Sequence, residues 1–329
     1  MRMVSYILAG LALAGCQGST GIQVEVLPDS VIEVVVANQA SASASILNAD
    51  GVAMKHVQVG AGPHEAAISR DGKVAVVSIY GAQVPGNRIA VIDLVRDSVI
   101  RTIDLGQYTR PHGMAFLGAS SDRIVATSEA TNNVVLVNLT SGAVEAIGTN
   151  ARASHMIAVT ADGTRGWTAN VIDHSVSEID LVNKRFVRSF TVPQQPEGIA
   201  VTPNGSEVWV GSNATGAVTV ISTQTGQITR TLTGATFPYR LASSSDGRTM
   251  AIIDGQANRL RIADVATGAY TGEVTLTQPR GVSILNNRTA YVTLAAGALA
   301  VVDLATRAVL RTIQVQASPD GVAAAIRQQ

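Results

Sequence analysis

One short segment recurs seven times in this chain of 329 residues, and its spacing constrains the fold more than any other feature. It reads Pro63-His64-Glu65-Ala66, Pro111-His112-Gly113-Met114, Ser154-His155-Met156-Ile157 and Pro196-Glu197-Gly198-Ile199. It returns at Pro238-Tyr239, Pro279-Arg280-Gly281-Val282 and Pro319-Asp320-Gly321-Val322. Successive anchors stand 48, 43, 42, 42, 41 and 40 residues apart. A period near 42 with no heptads indicates stacked copies of one supersecondary unit.

Within each unit the apolar residues alternate with polar ones, the period of strands and not of helices. In the unit that opens at Pro196, an apolar stretch through Val201 meets the tight turn Pro203-Asn204-Gly205, and a second strand covers residues 207–211. A third strand follows over 217–221 and a fourth over 227–232. Asp71-Gly72, Asp162-Gly163 and Asp246-Gly247 repeat the first turn with residues that tolerate positive φ. Four short antiparallel strands per unit describe a propeller blade. The last anchor leaves room for one strand, while the N-terminal part supplies three without an opening one, over 32–37, 43–47 and 52–59. One blade is therefore shared between the two ends. The expected fold is all-β: a single seven-bladed β-propeller over residues 31–329, four antiparallel strands per blade, closed by one C-terminal strand joining three N-terminal strands, with no helix.

The second strands end in Tyr291-Val292-Thr293, Trp167-Thr168-Ala169-Asn170 and Trp209-Val210-Gly211-Ser212-Asn213, and the third in Val91-Ile92-Asp93, Glu178-Ile179-Asp180 and Val301-Val302-Asp303. These endings resemble the YVTN-type propeller repeats, over residues 31–329. The resemblance implies a fold and no particular activity. The recurrent Asp93, Asp180, Asp264 and Asp303 are expected to cap the turn between third and fourth strands through the local backbone. Trp167 and Trp209 hold equivalent positions and are expected to pack between blades, and His56, on an outer strand, to be a packing or surface residue.

The N-terminus carries an address. Arg2 precedes an apolar run over 3–14, too short for a permanent membrane helix and of the size of a secretory h-region. Leu13-Ala14-Gly15-Cys16 resembles the bacterial lipobox, which implies cleavage before Cys16 and lipidation of that residue. Gln17 in place of Asp resembles the sorting pattern for the outer membrane. The expectation is a signal peptide over 1–15, a lipidated cysteine and tether over 16–30, and an exported envelope lipoprotein on the periplasmic face of the outer membrane, with that membrane as a partner through the lipid. Cys16 is the only cysteine, which excludes an internal disulfide, a cysteine zinc site and a Cys-x-x-Cys redox pair. With 24 basic and 24 acidic side chains there is no electrostatic reason to bind nucleic acid.

Register converts to position. The opening strand of each blade lines the channel, so the residues after the anchors form a ring at one mouth: His64, His112, His155, Glu197, Tyr239, Arg280 and Asp320. The ends of the second strands are expected to form a ring outside it: Asn38, Ile79, Glu129, Asn170, Asn213, Asp254 and Leu294, followed by Asp173 and His174 in the loop after Asn170. Four of the five histidines fall on that face. Three imidazoles with a carboxylate suit zinc or copper, which makes His64, His112, His155 and Glu197 metal candidates. A small-ligand pocket without metal would draw on Tyr239, Arg280, Asp320, Asn170 and Asn213. A polar ring around a water-filled mouth is the plainest alternative.

Two further readings stand beside these. Gly62-Pro63-His64, Glu129 and Gln278-Pro279-Arg280-Gly281 resemble the propeller lactonases, which include 6-phosphogluconolactonase and the carboxymuconate-lactonising enzymes. That resemblance implies His64 and Glu129 as acid/base groups and Arg280 as a carboxylate or phosphate clamp. The chain departs from it at His112, where the family has an arginine, with Arg110 two residues earlier. No Gly-rich phosphate loop opens a helix, and no Gly-x-Ser-x-Gly elbow occurs. The other reading is an interaction module: residues 80–87 are the one clear insertion, expected as a loop beside His64 that holds an envelope protein, a glycan or a small ligand. The sequence favours a binding scaffold in the envelope, with the lactonase-like enzyme as the alternative.

Overall fold

The computed structural model describes residues 30–48 and 54–328. The segment expected as a signal peptide, Cys16 and the expected tether up to residue 29 lie outside these. The described residues form seven four-stranded antiparallel sheets. The first complete blade runs outward through Pro63–Ile68, Val74–Gly81, Pro85–Asp93 and Ser98–Asp104. Five more open at Pro111–Phe116, Ser154–Val159, Pro196–Val201, Pro238–Ser243 and Pro279–Leu285. The seventh sets Pro319–Gln328 inside Ser30–Asn38, Ser43–Asn48 and Met54–Gln58, the shared blade that the spacing predicts. Neighbouring innermost strands touch in chain order, and the last touches the first, so the ring closes around a channel. Among the described residues there is no α-helix, only the 3-10 turn Glu129–Thr131.

Alternation along the strands gives each blade two apolar faces, and each face meets the next blade. Seven apolar clusters result, one at every blade interface. Trp167 packs with Val208, Val210 and Ile221 of the following blade, and Trp209 with Met250, Ile252 and Ala263 of the one after. Side chains of this kind contribute about 1.5–3 kcal/mol each when fully buried. At the closure, Val31 opposes Arg327 and Val36 opposes Val322. Arg327 Nη2 also lies 2.7 Å from Glu33 Oε1, an ion pair across the joint.

Two local features position the mouth. Every innermost strand carries a one-residue bulge just after its anchor: Pro63 opposes Ile79, yet Ala66 opposes Val77, and Pro238 opposes Asp254 while Arg240 opposes Ile253. A bulge re-aims the side chains it contains, here toward the channel. Adjacent innermost strands are also very close there. A Cβ on Gly198 would stand 2.8 Å from the Tyr239 carbonyl oxygen, and one on Gly281 2.3 Å from that of Asp320, which is why glycine recurs two residues after the anchor.

The turn aspartates behave as the pattern predicts. Asp93 Oδ1 accepts the amides of Val95 and Arg96 at 2.9 and 3.0 Å, and Asp303 Oδ1 those of Ala305 and Thr306 at 2.8 and 3.0 Å. The insertion over 80–87 differs from the expected loop. It extends the central hairpin of its blade, pairing Gly81 with Pro85, with a register shift after Ile79.

Candidate metal centre at the channel mouth

The bulges bring His64, His112 and His155 from three successive blades into one stack. Ring centroids are 4.1 Å apart between His64 and His112 and 3.7 Å between His112 and His155. Tyr80 closes the side, 5.1 Å from His64 and edge-on to His112 at 5.4 Å, with the Arg110 guanidinium over its outer face at 4.6 Å.

On one flank both ring nitrogens of His155 and both oxygens of Glu197 are engaged. His155 Nδ1 is 3.2 Å from Glu129 Oε2 and its Nε2 is 3.0 Å from Glu197 Oε1. Carboxylates only accept, so both ring nitrogens donate and His155 is an imidazolium. Burial alone would lower its pKa; the two carboxylates outweigh that and hold it at about 9. Tyr80 Oη donates to Glu129 at 3.0 Å, Asn213 Nδ2 donates to Glu197 Oε2, and Arg240 Nη1 donates to Glu197 Oε1 at 3.2 Å. Burial, then the Glu129 charge, pushes the Tyr80 phenol up to about 12, so it stays a donor.

Arg240 joins this flank to the other. Its Nη2 and Nε donate to Glu65 Oε1 at 2.8 and 3.1 Å, and the guanidinium lies 4.1 Å from the Tyr239 ring centroid. Burial would raise the Glu65 carboxyl; the Arg240 charge, together with the influence of His64 and the Arg240 hydrogen bonds, outweighs it and holds the group below its ordinary range.

The other flank is incomplete. His64 Nδ1 is 3.5 Å from Asp320 Oδ2 and 3.8 Å from Glu65 Oε1, too far for good hydrogen bonds. His64 Nδ1, Asp320 Oδ1 and both ring nitrogens of His112 have no partner, although His112 is 0% exposed. Burial, and then the charges around it led by His155, hold the His112 pKa well below the usual value, so it is a neutral imidazole with a free lone pair. Two sets of potential ligand atoms lie within 4.8 Å of one another: His64 with Glu65 and His112, and His112 with Glu129 and His155.

The remaining candidates divide. Glu129 belongs to the cluster, but Ser128, not Glu129, opposes the anchor Pro111, and Ser212, not Asn213, opposes Pro196. At these two positions the expected outer ring thus lies one residue past the end of the second strand. The residue just beyond the strand pairing, namely Tyr80, Glu129 or Asn213, is the one that turns to the mouth. Asn170 opposes its anchor and is spent inside its blade, where Nδ2 donates to Ser175 and Ser177 at 3.1 and 2.9 Å. Asp173 pairs with Arg152, and His174 Nδ1 is 3.0 Å from the Val171 carbonyl, so neither enters the cluster. His56 is exposed on its outer strand, 2.9 Å from Ser45 Oγ. Arg280 borders a cleft of about 350 Å³ with Tyr239, Phe237, Gln256 and Gln278, and makes no ion pair among the described residues.

Three members of the site, Glu65, Arg240 and Tyr80, are outside the expected rings. A signal for the first two exists. Two residues after the anchor the other blades carry Gly113, Met156, Gly198, Gly281 and Gly321, and only Glu65 and Arg240 are charged there.

No known family model matches the chain, and no curated protein matches it in sequence. In three dimensions it is similar to a chain of the Kuenenia stuttgartiensis hydrazine synthase, at a TM-score of 0.69 and 17% identity, over 92% of this chain and 100% of that one. At that identity the likeness shows the fold alone: the chain is a seven-bladed β-propeller.

Proposed function

We propose that this propeller is a binding scaffold of the cell envelope that holds a divalent metal ion at its histidine mouth. The observation that carries the reading is His112, a fully buried neutral imidazole with neither ring nitrogen partnered. Buried polar groups are almost always paired, and an unpaired one signals a ligand, an ion or a water. Charge supports the ion. Four carboxylates, Glu65, Glu129, Glu197 and Asp320, gather around Arg240 and the imidazolium of His155, an excess of acidic groups at a poorly solvated mouth. A buried charge left uncompensated costs several kcal/mol, a penalty that a bound divalent cation would offset. Protein purified without a histidine tag should carry one equivalent of zinc or copper, and His112→Ala should lose it. Metal-free wild-type protein that takes up neither ion would remove the reading.

Export and the lipid anchor rest on the h-region and the lipobox-like Leu13-Ala14-Gly15-Cys16, and the YVTN-type assignment rests on the strand endings. Fatty-acid labelling that survives Cys16→Ser would discard the anchor. A second reading, lactone hydrolysis with His64 and Glu129 as acid/base groups, is favoured by one observation: Arg280 is an uncompensated cation beside a cleft at the same mouth. Turnover of a lactone panel should then collapse in Arg280→Ala, and a wild-type protein with no turnover removes this alternative.

A further inference from the structure

We infer that the ion sits on the incomplete flank, held by His64, His112, Glu65 and Asp320, and that His155 and Glu197 are not ligands. This rests on the metal reading above and changes half of its ligand set.

The two flanks differ in which lone pairs are free. Glu197 has both oxygens engaged, Oε1 by Arg240 and His155 and Oε2 by Asn213. Glu129 Oε2 receives both Tyr80 and His155. His155 has no lone pair to offer while both nitrogens donate. An ion between His112, Glu129 and His155 would have to break the 3.2 Å contact of His155 with Glu129 and displace a proton. On the other side nothing needs to be broken. Four orphaned buried atoms, those of His64, His112 and Asp320, lie on that flank, whereas the orphan on the His155 flank is Asn213 Oδ1, an amide oxygen whose own Nδ2 is held by Glu197.

Glu65 completes the set. Its ligand atom lies within 4.8 Å of those of His64 and His112, and Arg240 occupies only Oε1. Arg240 then acts as a positioning residue: its two bonds hold the Glu65 carboxylate against the histidines, a role outer-sphere groups commonly fill. Asp320 is 1% exposed and stands 3.5 Å from His64 Nδ1, close enough to reach an ion there by a small rotation. Two imidazoles and two carboxylates make a harder donor set than three imidazoles. It suits a divalent ion such as zinc, ferrous iron or manganese and disfavours cuprous copper.

The test uses the intact mature protein. In the wild type loaded with one equivalent of Cu(II) as a probe, the electron paramagnetic resonance spectrum should show superhyperfine coupling to two nitrogens. Asp320→Asn and His64→Ala should each weaken zinc by at least about tenfold in a competition with a chromophoric chelator. His155→Gln, checked for native circular dichroism, should keep one equivalent of zinc. Three coupled nitrogens, or zinc lost in His155→Gln but retained in Asp320→Asn, would overturn this ligand set while leaving a metal at the mouth. Absence of any bound metal in the wild type overturns the set together with the reading beneath it.

Discussion

Arg240 is the residue on which the charged mouth depends. It is buried, yet it is the one guanidinium that reaches both Glu65 and Glu197, so removing it leaves the buried Glu65 without its cation and Glu197 with His155 and Asn213 alone. Breaking a buried pair by deleting one partner costs about 3–5 kcal/mol, because the surviving charge is uncompensated. Arg240→Met should therefore lower the urea unfolding free energy by about that amount, and Arg240→Lys should recover only part of it, since an ammonium cannot span both carboxylates with a planar fork. A near-neutral Arg240→Met would show that the mouth is wetter than its burial implies. The histidines are legible in the sequence because each follows an anchor in its own blade. Arg240 is less so, since only the bulge turns the second residue after the anchor inward.

At the scale of elements, the turns closing the third and fourth strands share one device, an aspartate accepting amides two and three residues on. Asp180 and Asp264 titrate below the ordinary carboxyl value because hydrogen bonds, the Asn183 amide for one and the Thr267 hydroxyl for the other, favour the ionised form. For Asp93 and Asp303 burial acts in the opposite direction, and the hydrogen bonds, led by Arg96 and Arg288, outweigh it. The sign follows directly. The folded pKa lies below the unfolded one, near about 3.9, so the contribution is complete above that value and is lost as pH falls through the folded pKa. A variant with all four aspartates changed to asparagine should show a shallower loss of urea midpoint between about pH 4 and pH 2 than the wild type. Parallel curves would mean that the turns do not carry the acid sensitivity. These turns are readable from the recurring Asp alone, because a side chain bonding its own backbone needs no distant partner. The expected outer ring is one residue off at Glu129 and Asn213 for the opposite reason: where a strand stops is decided by its pairing.

For the whole molecule, closure of the ring fixes which way the mouth points. The anchors begin the innermost strands at the histidine face, and Val31 pairs with Arg327 near the far end of the last one. The chain therefore enters the ring on the face opposite the histidines. Fourteen residues from Cys16 to Ser30 span at most about 50 Å when extended. A protein anchored at Cys16 should then hold its histidine mouth away from the bilayer. Bimane placed by Asp71→Cys, in a hairpin turn of the far face, should be quenched by brominated lipid more strongly than bimane placed by Gln256→Cys at the mouth. Stronger quenching at Gln256→Cys would reverse the orientation.

The sequence by itself determined the number of blades, the shared blade, the face on which the histidines gather and the turn caps, because each follows from a period or from a side chain acting on its own neighbours. Only the tertiary structure decided which of the gathered groups are satisfied and which are not. Glu197 and His155 are engaged by Arg240, Asn213 and Glu129, which come from other parts of the chain, while His112 is left without a partner. The physical reason is that most hydrogen bonds at the mouth join residues from different blades across a few ångströms, and their existence depends on one-residue bulges and a strand end that a repeat pattern averages away.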